Sequence, residues 1–117
     1  MDFHQEFQKV LSAYPFLEAL IFVDPDGESI LFEAREFDTF FLKLAGAKAP
    51  IFMGHFVTVG ITRRPRFLEM HYAERSLCSV TLEQGYSITA VCGRTHKRAL
   101  VRYLLDRLAE KFNREIV

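Results

Sequence analysis

The chain has 117 residues, 50% of them hydrophobic and 26% charged, with fifteen Lys and Arg balanced by fifteen Asp and Glu. That length suits a single domain, 1–117, whose hydrophobic core needs neither disulfides nor metal. The zero net charge argues against a dedicated nucleic-acid binder, whose affinity comes from neutralising phosphates.

The opening stretch, "DFHQEFQKVLSAY", places Phe3, Phe7, Val10, Leu11 and Tyr14 at helical spacing with polar residues between them. Asp2 is positioned to cap this helix, with Gln5 at the capping-box position. Tyr14 precedes Pro15 and is biased out of the helix. "FLEALIFV" follows as a strand that is apolar on both faces. Simple alternation sets Phe16, Leu20 and Phe22 on one side and Leu17, Ala19, Ile21 and Val23 on the other. A strand of this kind sits centrally in its sheet. "ESILFEA" reads as its hairpin partner, across Asp24-Pro25-Asp26-Gly27. A calcium loop needs further oxygen ligands and flanking helices; here Ile30 to Phe32 stand in the ligand positions and the flanks are β-rich. Pro25 and Gly27 instead suit a tight turn that Asp24 and Asp26 shape and solvate.

Residues 36–62 place Phe37, Phe40, Phe41 and Leu44 at helical spacing, then Pro50 between Gly46 and Gly54. A helix that bends or breaks near Pro50 and resumes to about Val59 is expected. It carries more apolar surface than one buried stripe needs. Either it is a core helix packed on two sides, or it presents an apolar face to another subunit. "RRPR" then brings Arg63, Arg64 and Arg66 together, as a solvated loop or an anionic contact site.

"RFLEMHYA" alternates Phe67, Glu69 and His71 against Leu68, Met70 and Tyr72. "RSLCSVTLE" and "YSITAVCG" flank a three-residue loop, Glu83 to Gly85, with the glycine in the left-handed position and Leu82 opposite Tyr86. That register aligns Cys78, Val80 and Leu82 with Ile88, Ala90 and Cys92 on one apolar face. Cys78 and Cys92 are then diagonal, about 7–8 Å apart and beyond disulfide reach. Finally "THKRALVRYLLDRLAEKF" reads as an amphipathic helix capped by Thr95. Leu100, Val101, Leu104, Leu105, Leu108 and Phe112 form its buried stripe, and Lys97, Arg98, Arg102, Arg107 and Lys111 its wet side.

No nucleophile elbow, phosphate loop or His pair on one helix face is present. His4, His55, His71 and His96 fall in different elements, and Ser76 and Ser79 lie on a strand with no His close in sequence. The expectation is a non-enzymatic protein with no cofactor and no metal. Residues 1–60 sum to a charge of −5 and residues 61–117 to +5, which is self-compensation within one domain or a polarised surface that steers a partner. "MDFHQEFQKV" is no apolar leader, and no apolar run reaches the roughly 18 residues of a membrane span. A cytoplasmic protein with reduced thiols follows.

The element order is helix, hairpin, long helix, three-stranded meander, helix. "ALIFVDPDGESILF" resembles the first hairpin of the roadblock/dynein light chain family, an apolar strand, an Asp, one or two residues, a Gly and another apolar strand. "LEQGYSITAVCGRTHKRALVRYLLDRLAEKF" is similar to that family's final turn, last strand and terminal helix. Pro50 and the bulky Phe37, Phe40, Phe41 and Phe52 depart from its usual middle helix.

The resemblance implies an α+β fold, a five-stranded antiparallel sheet between two terminal helices on one face and a long middle helix on the other. It implies a homodimer built through the middle helix and third strand, with Phe40, Phe41, Leu44, Ile51, Phe52, Phe56, Leu68, Met70 and Tyr72 at the interface. It also implies a scaffold or regulator that binds a Ras-like small GTPase or a related protein complex. Arg63, Arg64, Arg66 and Arg75 are the basic residues open to that partner, since activators of GTP hydrolysis supply an arginine. The alternative is a ligand-sensing module of the PAS, GAF or profilin-like class, its Phe-rich middle lining a pocket.

Overall fold

The computed structural model describes residues 1–35, 41–42, 45–48, 51, 66–93 and 97–116. The expected bend at Pro50, the continuation to Val59, Arg63, Arg64 and the Thr95 cap lie outside these residues. The first helix spans Phe3–Ala13. Strands β1 (Leu17–Val23), β2 (Ser29–Ala34), β3 (Phe67–His71), β4 (Arg75–Thr81) and β5 (Ser87–Gly93) precede a terminal helix, Arg98–Ile116. Phe41, Leu42, Ala45 to Lys48 and Ile51 are helical and belong to a middle helix. The strands form one antiparallel sheet in the order β2-β1-β5-β4-β3, so the doubly apolar β1 is internal, as its sequence requires.

Local chemistry sets the boundaries. The Asp2 carboxylate accepts from the Gln5 N–H at 3.1 Å and caps the first helix, and Tyr14 leaves it with extended backbone. In the β1–β2 turn Asp24 Oδ1 accepts from the N–H groups of Asp26 and Glu28, both at 2.9 Å. Gly27 has φ +88°, a conformation that glycine adopts without strain. Asp24-Pro25-Asp26-Gly27 is thus a turn held by its own aspartate. At the β4–β5 loop Gly85 has φ 82° as expected, and Gln84 also takes a positive φ, 58°.

The sheet separates two apolar clusters. Phe7 and Leu11 of the first helix meet Leu104, Leu105, Leu108 and Phe112 of the terminal helix over Leu20, Phe22, Cys78, Val80, Ile88 and Cys92. On the opposite face Leu42 and Ala45 cover Ala19, Ile21, Val23, Leu77 and Val91. One assignment from alternation is corrected. Leu17 packs with Leu20 and Phe22 under the terminal helices, not with Ala19 and Ile21. The β1–β5 register shifts between Leu17 and Ala19, and a bulge of this kind rotates the residues before it to the other face.

Cys78 pairs with Ala90 and Cys92 with Ser76. The thiols are diagonal, buried and free. The neighbouring Cys78 thiol and then burial push the Cys92 pKa upward, so it stays a thiol.

The middle helix approaches β1 closely at Gly46, where a Cβ would stand 2.9 Å from Ile21 Cγ2 and 3.1 Å from Val23 Cγ2. Both neighbours are branched and buried. Gly46→Ala is therefore expected to destabilise the fold by about 1–3 kcal/mol through overpacking, against the roughly 1 kcal/mol by which alanine favours a helix. Urea unfolding tests this: a midpoint equal to or above the parent's contradicts the close packing.

The two oppositely charged halves compensate each other inside the fold. Lys111 Nζ donates to Glu6 Oε2 at 2.9 Å, and Arg75 Nε to Glu18 Oε2 at 2.8 Å. Lys111 stays at the solvent-facing surface, with its side chain 42% exposed, while reaching Glu6. Chiefly through its hydrogen bond, Lys111 holds the Glu6 carboxyl below its ordinary pKa. A depressed carboxylate stabilises the fold above its unfolded pKa and loses that contribution as pH falls through the folded value. Lys111→Met should cost about 1 kcal/mol or less at neutral pH, with the difference from the parent vanishing in acid. A difference that persists undiminished in acid rejects the pair as its source.

Candidate interaction surface

Five of the nine residues expected at an interface, Phe41, Ile51, Leu68, Met70 and Tyr72, fall within the described residues. Phe41 is half-buried and packs on the second cluster with Phe32, Ala34 and Met70. Leu68 is half-buried on the edge strand β3. Ile51 is 61% exposed and Tyr72 is 49% exposed. Lys48 Nζ stands 5.4 Å from the centre of the Tyr72 ring, a cation–π contact between the middle helix and the β3–β4 hairpin. Beside it a cavity of about 420 Å3 is lined by Phe41, Ala45, Tyr72 and Leu77, with Lys48, Glu74 and Arg75 at its polar wall. Phe41, Met70 and Tyr72 thus border one apolar surface next to an edge strand. Phe40, Leu44, Phe52 and Phe56 lie outside the described residues.

The basic candidates separate. Arg66 is exposed just before β3, and its carbonyl accepts from the Thr81 N–H at 2.9 Å. Arg75 begins β4 at the opposite end of that strand pair. A basic residue not singled out before, Arg35, fastens the first helix to the sheet. Its Nε donates to the Leu17 carbonyl at 2.9 Å, and its guanidinium also reaches the carbonyls of Leu11 and Tyr14.

On the terminal-helix side of β3 the structure brings together residues that sequence reading kept apart. The β3–β4 register pairs His71 with Ser76, and Tyr72 N–H closes the hairpin on the Arg75 carbonyl at 2.8 Å. His71 Nδ1 lies 3.0 Å from Ser76 Oγ, and His71 Nε2 lies 2.8 Å from Glu69 Oε1. Arg98, the first residue of the terminal helix, places Nε 2.9 Å from Glu69 Oε2. Ser76 therefore does have a histidine beside it. The signal was present: two strands joined by a short connection put residues five apart opposite each other. Ser79 faces the other way, its hydroxyl 2.6 Å from Thr89 Oγ1. Among the described residues no group of three or more His, Cys, Asp or Glu side chains is arranged to hold a metal ion. No helix among them is long and apolar enough to cross a membrane.

Comparison with solved structures identifies the architecture. A Roadblock/LC7 domain from Streptomyces avermitilis superposes with a TM-score of 0.83, covering 99% of this chain and 98% of that one at 14% identity. An MglB with tetrameric arrangement gives a TM-score of 0.77 over 96% of this chain and 85% of that chain, at 13% identity. MglB from Myxococcus xanthus gives 0.77 over 98% and 90%, at 14% identity. No family model matches this sequence, and no curated protein matches it. The fold is that of the Roadblock/LC7 domains, with a five-stranded antiparallel sheet, the terminal helices on one face and the middle-helix residues on the other, as the sequence resemblance implied.

Proposed function

We propose that the chain, as a single roadblock-like domain over residues 1–117, is a cytoplasmic homodimeric scaffold that regulates a Ras-like small GTPase or a related protein complex. This role needs no catalysis of its own. The observation that carries it is the apolar surface of Phe41, Met70 and Tyr72 beside the edge strand β3, with Ile51 exposed on the middle helix. Edge strands left uncovered invite pairing with another chain, and a two-fold interface uses the same patch on both copies. The fold neighbours support this reading, and one of them is itself an assembly of copies. In the proposed dimer Phe40, Phe41, Leu44, Ile51, Phe52 and Phe56 meet across the axis, flanked by Leu68, Met70 and Tyr72. Arg63, Arg64, Arg66 and Arg75 are the proposed contacts to the GTPase. Pull-down of Ras-like GTPases in each nucleotide state tests the partner: binding that survives reversal of all four arginine charges rejects that assignment.

One observation favours a second reading. The cavity of about 420 Å3 falls within the size range of small-molecule sites. A ligand-sensing module of the PAS, GAF or profilin-like class would be monomeric and gain thermal stability from an apolar compound by mass action.

A further inference from the structure

Ser76, His71 and Glu69 stand in the order of a nucleophile, a base and the acid that orients the base. Their side chains line one cavity of about 430 Å3, together with Arg75 and Arg98. Ser76 as a residue is only 4% exposed, so its hydroxyl meets solvent through this cavity and not on an open face. With the imidazole neutral and its proton on Nε2, Nδ1 accepts the Ser76 hydroxyl proton across 3.0 Å. The Glu69 carboxylate stands 2.8 Å from Nε2 on the other side of the ring. Arg98 holds that carboxylate from the terminal helix at 2.9 Å. Arg98, which lines the same cavity, keeps guanidinium donors beyond the one on Glu69, whereas Arg75 donates to Glu18. Among the described residues Ser79 is partnered by the Thr89 hydroxyl and not by a base.

From this geometry we infer that Ser76 is a reactive serine that accepts acyl groups from small activated esters. Ser76 Oγ bonds to the carbonyl carbon while its proton passes to His71 Nδ1. The tetrahedral intermediate places its oxyanion toward Arg98. It collapses by breaking the bond to the leaving oxygen, which takes the proton from Nδ1. Water then attacks the acyl-serine, gives its proton to the same nitrogen, and releases the carboxylic acid and free Ser76. His71 moves the proton, and Glu69 is a positioning residue that acts through it. The regulatory role proposed above uses none of these three side chains, so this inference stands or falls separately.

The test is incubation of the full chain with p-nitrophenyl acetate, following nitrophenolate release and mapping the acetyl group by peptide mass spectrometry. The expected label is on Ser76. Ser76→Ala should abolish it and Ser79→Ala leave it intact. His71→Ala should slow it about a hundredfold or more, the usual worth of a positioned base. Glu69→Gln should slow acylation with the label still on Ser76, and Glu69→Asp should recover part of the rate, as expected of a residue that positions the base. Circular dichroism of each variant separates loss of reactivity from loss of fold. Acetylation confined to lysines, or Ser76 labelling as fast in folded His71→Ala as in the parent, overturns the proposal.

Discussion

Phe112→Ala should destabilise the fold by about 3–5 kcal/mol, the usual cost of removing a buried phenylalanine ring. Phe112 is fully buried on the terminal helix. Its ring centre lies 4.4 Å from that of Phe3, 5.2 Å from Phe7 and 5.1 Å from Phe22. Three elements therefore meet on one ring: the first helix, β1 and the terminal helix. Aromatic pairs at these separations add about 0.5–1.5 kcal/mol beyond the area they bury. No neighbour can fill the space, because each surrounding ring is held by its own element. Domains of this size are stable by roughly 5–15 kcal/mol, so the variant should sit near the limit of folding. In urea the midpoint should fall on the order of 2 M. Tyr103→Ala, on the exposed face of the same helix, should change stability by less than about 0.5 kcal/mol. Similar losses from both substitutions contradict this account of the core.

This core was legible because its periodicities are clean. Leu104, Leu105, Leu108 and Phe112 recur at helical spacing, and all four are buried. The apolar run of β1 announced an internal strand, and the β4–β5 register followed from one three-residue loop. Leu17 was misplaced because alternation assumes an unbroken ladder, and nothing in "FLEALIFV" marks the register shift beside Glu18. The Ser76–His71 pair was missed for a different reason. Each strand was read by its own pattern, and the contact exists only across the two. Glu69 and His71 on one face of β3 become a relay when β4 brings Ser76 opposite. The apolar surplus of the middle segment was legible as quantity but not as direction. Composition shows how much apolar surface there is; packing alone shows that Leu42 and Ala45 are buried while Ile51 is not.

Ile51→Asp should weaken self-association by about two to three orders of magnitude and leave the fold intact. Placing an unpaired charge in a closed interface costs about 3–5 kcal/mol, and each 1.4 kcal/mol is about tenfold in affinity. Ile51 is 61% exposed in the single chain, so the same carboxylate is well solvated once the copies separate. Tyr72→Asp should act in the same direction, with a further loss of the contact to Lys48. Phe41 is the poorer probe: it packs on the core cluster, and its charge reversal would mix unfolding with dissociation. The signature expected for Ile51→Asp is an unchanged circular dichroism spectrum with a shifted monomer–dimer equilibrium, read by sedimentation equilibrium. Dissociation accompanied by loss of helix signal would mean that Ile51 serves the monomer's own packing.

The most direct test of the dimeric scaffold is the solution mass of the unmodified chain, by size-exclusion chromatography with light scattering over a dilution series. The account predicts twice the chain mass, persisting on dilution. A stable single-chain mass at every concentration would contradict it, and would assign the surface around Phe41, Ile51 and Tyr72 to the ligand-sensing reading.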